Sequence, residues 1–277
     1  MHVDDLDNVV FAIRKGSSGK RAVVVFIHPG NGSVFCYREL AALISPVCDQ
    51  ILSVQSHNLV RKKVVYKTVE EMAELYVDKL VPKVHQFESI HLVGWSSGGL
   101  IAFEMAHQLE QCLGLKVASL HLIDSYLSGV YVEGIDINNY ASFMYRVING
   151  RLIDEVPADI VQEIDRLPVF DAIRFVFKHA LDSAMLPSKS KLRDVLRFSE
   201  IHRENRVASK RYVQRETDRL FYLYKAEQNP DFSSENNLGW QGSRMKTVNL
   251  DADHYTIMTG DSLRKIAGFI NKDIERM

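Results

Sequence analysis

Cysteine is scarce in this chain of 277 residues. There are three, Cys36, Cys48 and Cys112, with no CxxC spacing and no even framework for pairing. That argues against a disulfide scaffold and a structural zinc site, and reads as buried or free thiols in a reducing cytoplasm. An excess of one charge is missing too. Lys and Arg number 34 against 35 Asp and Glu, a net charge of −1, so the chain has no global electrostatic footprint for nucleic acid. No apolar run approaches the roughly 18 residues of a membrane span. The first residues, Met1-His2-Val3-Asp4-Asp5-Leu6-Asp7, are acidic and lack the basic-then-apolar order of a secretory signal. Internal repeats and low-complexity tracts are absent. What is present is ordinary: 46% hydrophobic and 25% charged residues, enough apolar material for one large α/β domain or a tight pair of domains.

Short β-prone runs alternate with helical patterns over the first 124 residues. Residues 9–14 and Ala22–Ile27 read as strands that, with the turn cluster Gly16-Ser17-Ser18-Gly19 between them, look like a hairpin leading into a sheet. The second run is continuously apolar and suits a strand buried on both faces. Further strands are predicted at Gln50–Val54, Ser89–Val93 and Val117–Ile123, and helices at Tyr37–Ile44, Thr68–His85 and Leu100–Leu113. Such alternation predicts an α/β fold with a mostly parallel central sheet flanked by helices. Residues 128–216 carry no convincing buried strand. They hold helical stretches near Tyr140–Ile148, Ile160–Ile164, Phe170–Leu181 and Leu192–Arg203, with Pro157, Pro168 and Pro187 between or within them. Strand signal returns at Leu220–Tyr224 and Lys246–Leu250, and a helix closes the chain over Asp261–Ile274. The expected organisation is a core of 1–127 and 217–277 with 128–216 as a helical insertion, because strands flank the insertion on both sides.

Gly94-Trp95-Ser96-Ser97-Gly98 contains G-x-S-x-G. The pentamer alone is weak, but here a predicted strand ends just before it and a helical pattern begins just after. That is the setting in which a serine sits on a tight, strained turn with its Oγ projecting above a sheet edge. Glycine two positions to each side lets strand and helix pack closely. Ser97 has no glycine two positions before it, so Ser96 is the expected nucleophile and the Ser97 amide an oxyanion donor. A serine alcohol needs a base, and the base an orienting acid. Asp124 ends the strand Val117–Ile123, and His254 follows Lys246–Leu250 just before the last helix, so the order Ser, Asp, His is satisfied. Asp251 and Asp253 compete as partners for His254, although such close sequence neighbours seldom point the right way. A second oxyanion donor belongs in His28-Pro29-Gly30-Asn31-Gly32, the loop after an early core strand, with Asn31 ahead of Gly32.

With these residues in place the chain resembles the thioesterase domains of nonribosomal peptide synthetases and polyketide synthases. His28-Pro29-Gly30-Asn31-Gly32 is similar to their His-Pro-x-Gly-Gly segment and Gly94-Trp95-Ser96-Ser97-Gly98-Gly99 to their elbow. Leu122-Ile123-Asp124-Ser125 is similar to their catalytic-aspartate strand end, and Asp253-His254-Tyr255-Thr256-Ile257-Met258 to their histidine segment. Leu238-Gly239-Trp240 fits the Gly-Trp that often precedes the last strand. Ala252, Ser97 and Asn31 depart from the family pattern, and of the assignments the oxyanion donor is the one they weaken. The resemblance implies an α/β-hydrolase fold whose insertion is a lid over an acyl channel. It also implies a substrate delivered on the phosphopantetheine arm of an acyl or peptidyl carrier protein. The chain would bind no cofactor or metal of its own. Release follows by hydrolysis or by closure to a macrolactone or macrolactam. The Gly-Trp-Ser elbow looks more like the integrated, product-releasing type than the stand-alone editing type. An editing thioesterase, a general carboxylesterase and a non-catalytic binding protein of the same fold are the competing readings. In the insertion, Phe143, Tyr145, Phe170, Phe175, Phe177, Leu192 and Phe198 are expected mostly to form its own small core, and partly to line a channel. Arg203, Arg206, Lys210, Arg211 and Arg215 suit either a solvated helix face or an acidic partner.

Overall fold

The run Ala22–Ile27 is buried at every position and forms the interior strand β2 of a sheet. A computed structural model describes residues 9–15, 21–60, 66–127, 136–152, 154–228 and 237–276. Among them lie seven strands: β1 Val10–Lys15, β2, β3 Gln50–Val54, β4 Ser89–Trp95, β5 Val117–Ile123, β6 Phe221–Ala226 and β7 Met245–Leu250. Their order in the sheet is β1-β3-β2-β4-β5-β6-β7, parallel throughout except that β1 runs antiparallel to β3.

The expected hairpin of the first two strands is not what forms. β1 pairs with β3, Val10 opposite Val54 and Lys15 opposite Gln50, while β2 lies between β3 and β4. The reason is burial. β2 carries side chains for two apolar faces and takes two parallel neighbours, whereas β1 has mixed exposure, with Ile13 39% exposed, and serves at the edge. The turn cluster 16–19 lies outside the described residues.

Alternate residues of the strands supply two cores. Val23, Val25, Ile27, Leu92, Leu120 and Leu122 face helices α3 Val69–Val84 and α4 Ser97–Leu113, with Met72, Tyr76, Leu100 and Met105 among the packed residues. Val24, Phe26, Val93 and Ile123 face α1 Arg38–Leu43 and the last helix, Gly260–Glu275, through Leu40, Ile266 and Ile270. A single turn, α2 His57–Val60, follows β3. Thr68 caps α3 by accepting from the Glu71 amide at 3.1 Å, so the helix starts where the sequence predicts.

The described residues group into two compact units, one from 1–131 with 205–277 and one from 132–204. The second unit is narrower than the expected insertion of 128–216. Residues beyond 204 belong with the sheet because Asn205, Tyr212 and Arg215 make their bonds there: Asn205 Nδ2 donates to Gly30 O at 2.9 Å, and Tyr212 Oη and Arg215 Nε donate to the buried Glu104 carboxylate at 3.2 and 3.1 Å. Considered by itself, the second unit is built from α5 Tyr140–Asn149, α6 Ala158–Arg166, α7 Val169–Asp182 and the start of α8 Leu192–Arg211. Pro157 and Pro168 sit at the starts of α6 and α7, where their fixed φ suits helix entry. The unit has its own core of Met144, Ile160, Ile164 and Val176, against which Tyr145, Phe175, Phe177 and Leu192 pack. Phe143 and Phe198 meet in a smaller cluster, and Phe170 is 79% exposed. Helix α8 runs eight residues past its predicted end at Arg203, since no proline or glycine interrupts 192–211. The five cationic residues from Arg203 to Arg215 do not share one solvated face: Arg203 pairs with Glu200, Arg206 is buried, and Arg215, beyond the helix, pairs with Glu104.

Candidate active site

In a parallel sheet the strands end at one edge, and loops there can converge on a ligand. The chain leaves β4 at Trp95 and turns abruptly. Ser96 has φ 56°, in the left-handed region, and α4 begins at the next residue. The turn closes only because glycine stands at both flanks. A Cβ on Gly94 would lie 2.2 Å from the Gly98 carbonyl oxygen, and one on Gly98 would lie 2.6 Å from Ile27 O and 2.7 Å from His28 O. The strained serine is held by its neighbours: its amide donates to Ile123 O at 2.9 Å, and its carbonyl accepts from the Gly99 amide at 3.0 Å. Ser96 is half-buried, and Ser97 is buried at the first turn of α4. The strand–turn–helix setting expected around Ser96 is therefore present.

One strand over, Asp124 follows β5 with φ 42° and no exposed surface. Its amide donates to Tyr224 O at 2.7 Å. Its carboxylate accepts from the Ala226 amide at Oδ1 at 2.9 Å, from His254 Nδ1 at Oδ2 at 2.7 Å, and from the Tyr126 hydroxyl also at Oδ2. A buried carboxylate needs such donors in place of water. Asp253 is otherwise engaged, accepting from the Tyr255 and Thr256 amides at 2.8 and 2.7 Å, while Asp251 accepts from Gln228 at 2.6 Å. Asp124 is thus the acid that the structure brings to His254.

His254 follows β7. Its ring stacks on the Trp95 indole with centroids 5.2 Å apart, meets Tyr255 edge-on at 5.2 Å and Tyr126 at 5.7 Å. The Trp95 Nε1 donates to the His254 carbonyl at 3.1 Å. The histidine is therefore gripped by the residue that immediately precedes Ser96. An imidazole whose Nδ1–H is donated to a carboxylate presents Nε2 as the basic nitrogen.

The loop after β2 is built for fixed geometry. His28 is fully buried. Its Nδ1 donates to Pro29 O at 2.8 Å and its Nε2 lies 2.8 Å from the Tyr76 hydroxyl. Burial lowers its pKa to about 4, so the ring is a neutral structural strut. The Gly32 amide donates to Pro29 O at 2.9 Å, closing the turn, while the Asn31 side chain accepts from the Ser33 amide at 2.9 Å. The Gly32 amide is therefore committed within the turn. Tyr37 ties this loop's strand to the nucleophile's strand, its hydroxyl donating to Ile27 O at 2.6 Å and accepting from the Trp95 amide at 2.7 Å.

Sequence reasoning did not find Tyr126, the Trp95 ring or the bond of Asn205 to Gly30. Tyr126 carries no periodic signal, and Asn205 lies 175 residues from its partner.

The chain also has known relatives. Residues 22–140 match the family described as "Thioesterase domain". A probable thioesterase, gloN, from Glarea lozoyensis is 34% identical over 104 residues, 38% of this chain and 35% of that protein. Malpibaldin synthetase of Mortierella alpina is 30% identical over 150 residues, 53% of this chain but only 3% of the synthetase. The chain thus spans well under two thirds of these relatives. Among solved structures, the four-domain nonribosomal peptide synthetase holo-AB3403 superposes with a TM-score of 0.80 and 26% identity, over 95% of this chain and 20% of that one. The NocB thioesterase domain, bound to a fluorophosphonate nocardicin G analog, superposes over 96% of this chain and 99% of its own with a TM-score of 0.66 at 18% identity, a likeness of fold. Residues 22–140 thus match the thioesterase-domain family, and the mostly parallel sheet flanked by helices has the fold of the solved thioesterase domain it superposes on.

Proposed function

We propose that this chain is a serine thioesterase that releases an acyl, peptidyl or polyketide chain from the phosphopantetheine thioester of a carrier protein. The observation that carries the reading is the Asp124–His254 bond of 2.7 Å, with the imidazole clasped against Trp95 beside the strained Ser96. In this mechanism the Ser96 Oγ attacks the thioester carbonyl while His254 takes its proton. Asp124 holds the ring and offsets the imidazolium charge. The Ser97 amide, at the positive end of α4, and the Asn31 amide receive the oxyanion. The carbon–sulfur bond breaks, His254 returns the proton to the departing thiol, and an acyl ester remains on Ser96. Water, or a hydroxyl or amine within the acyl chain, then attacks that ester with His254 again as base. The chemistry asks for no metal or redox cofactor.

Support for a carrier-borne substrate comes from the synthetases the chain is similar to: it spans 3% of the malpibaldin synthetase and 20% of the four-domain nonribosomal peptide synthetase. Intact-protein mass spectrometry tests the proposal. Incubation with carrier-bound acyl thioesters should add one acyl mass to the wild-type protein and none to Ser96→Ala. Turnover of a small free ester with no advantage from the carrier would instead favour the carboxylesterase reading.

A further inference from the structure

Tyr126 occupies a place that packing alone does not explain. The turn after β5 is pinned on both sides of it. The Ser125 carbonyl accepts from the Trp240 Nε1 at 2.9 Å, and the Leu127 amide donates to Leu238 O at 3.1 Å. With its neighbours tied, the Tyr126 ring lies 5.7 Å from the His254 ring and is 6% exposed. A phenylalanine would fill that space equally well. What the hydroxyl adds is a donor to Oδ2 of Asp124, the same oxygen that receives His254 Nδ1.

We infer that Tyr126 is a positioning residue of the catalytic pair: by sharing Oδ2 of Asp124 with His254, its hydroxyl orients the carboxylate and moderates how strongly that carboxylate supports the imidazolium. The inference rests on the triad reading and goes one step further, assigning to a residue outside the triad the setting of its working pH range. The physical basis is simple. A hydrogen bond donated to an anion withdraws charge from it, so less is left to stabilise a neighbouring cation. Among the described residues, the titratable Tyr255 meets the imidazole edge-on at 5.2 Å, and the sequence neighbour Asp253 has an Oδ1 that accepts two turn amides. Trp95, on the remaining side, does not titrate.

The test uses a fluorophosphonate probe, so the acyl substrate need not be known. In that reaction the Ser96 oxygen–phosphorus bond forms, the phosphorus–fluorine bond breaks, fluoride leaves and His254 takes the serine proton. The rate of labelling is followed from pH 5 to pH 9. In Tyr126→Phe the plateau rate should fall roughly 2- to 10-fold, the worth of one hydrogen bond. The acid limb should move to higher pH by roughly half a unit. A Tyr126→Phe protein that labels like the wild type, with its limb unmoved, overturns the inference. Should that variant fail to fold, site-specific 3-fluorotyrosine at position 126 provides a stronger donor of nearly the same size. Its limb should move to lower pH, and an unmoved limb is again fatal. A wild-type protein that is not labelled at Ser96 at all overturns the triad reading itself, whatever Tyr126 does.

Discussion

At the scale of single residues, the site depends on atoms held against their ordinary preferences. Ser96 and Asp124 both have positive φ, which costs a non-glycine residue about 1–3 kcal/mol each unless the surroundings impose it. Here they do, through the Ser96 amide on Ile123 O and the Asp124 amide on Tyr224 O. Asp124→Asn keeps the shape but exchanges an acceptor-only group for an amide, so the ring it holds is offered the wrong tautomer. On the serine-protease precedent, labelling of Ser96 should fall by a factor on the order of 10⁴ with the thermal midpoint little changed. Labelling at wild-type rate in that variant would mean that another acid supports His254. The candidates Ser96, Asp124 and His254 were legible because each stands next to a strand end in the right order. Tyr126 was not legible, because nothing in its spacing says that the chain doubles back there.

The elements bring these residues to one edge. Parallel β2, β4, β5 and β7 each end in a segment that contributes to the site: the loop from His28, Ser96, Asp124 and His254. The closest joint is between the loop after β2 and the start of α4, where Gly98 faces the Ile27 and His28 carbonyls. Gly98→Ala forces a methyl group to within 2.7 Å of two backbone oxygens that cannot swing aside. It should cost about 1–3 kcal/mol in urea unfolding and slow Ser96 labelling as well, since the loop carrying Asn31 must yield. A variant with wild-type stability and rate would show that the helix shifts freely instead. The strands at Gln50–Val54 and Val117–Ile123 were predicted to the residue, because apolar runs bounded by breakers mark them. The hairpin failed at the same level of reasoning. Two adjacent apolar runs do not reveal whether they pair with each other, and the edge place of β1 follows from the burial of its neighbours.

For the whole molecule, the buried histidines dictate how stability depends on pH. His28 and His91 are lowered to about 4 and His121 to about 3, each chiefly by burial. On the sheet's interior His91 Nδ1 and His121 Nε2 both meet Ser119 Oγ at 2.8 Å, and His121 Nδ1 lies 2.9 Å from the Tyr224 hydroxyl. Since the unfolded histidines titrate near 6.5, the unfolded state binds up to three more protons between that pH and about 4. Stability therefore falls on acidification, by about 1.4 kcal/mol per pH unit for each histidine. Asp273, raised by burial, acts in the opposite sense, once the pH nears the carboxylate range. Urea midpoints measured from pH 7 to pH 5 should drop steeply, and His121→Gln should remove about a third of the slope. A flat profile would mean that these histidines take up protons in the folded chain as readily as in the unfolded one. The sequence by itself determined the alternation of strands and helices, the strand-end places of Ser96, Asp124 and His254, and the helical character of the insertion. These follow from hydrophobic period and from glycine spacing, which are local. Only the tertiary structure decided which strand β1 joins, that residues 205–216 belong with the sheet, and that Trp95 and Tyr126 flank the imidazole. Those outcomes depend on which surfaces are buried against which, and that is a property of the assembled fold that no short window of residues contains.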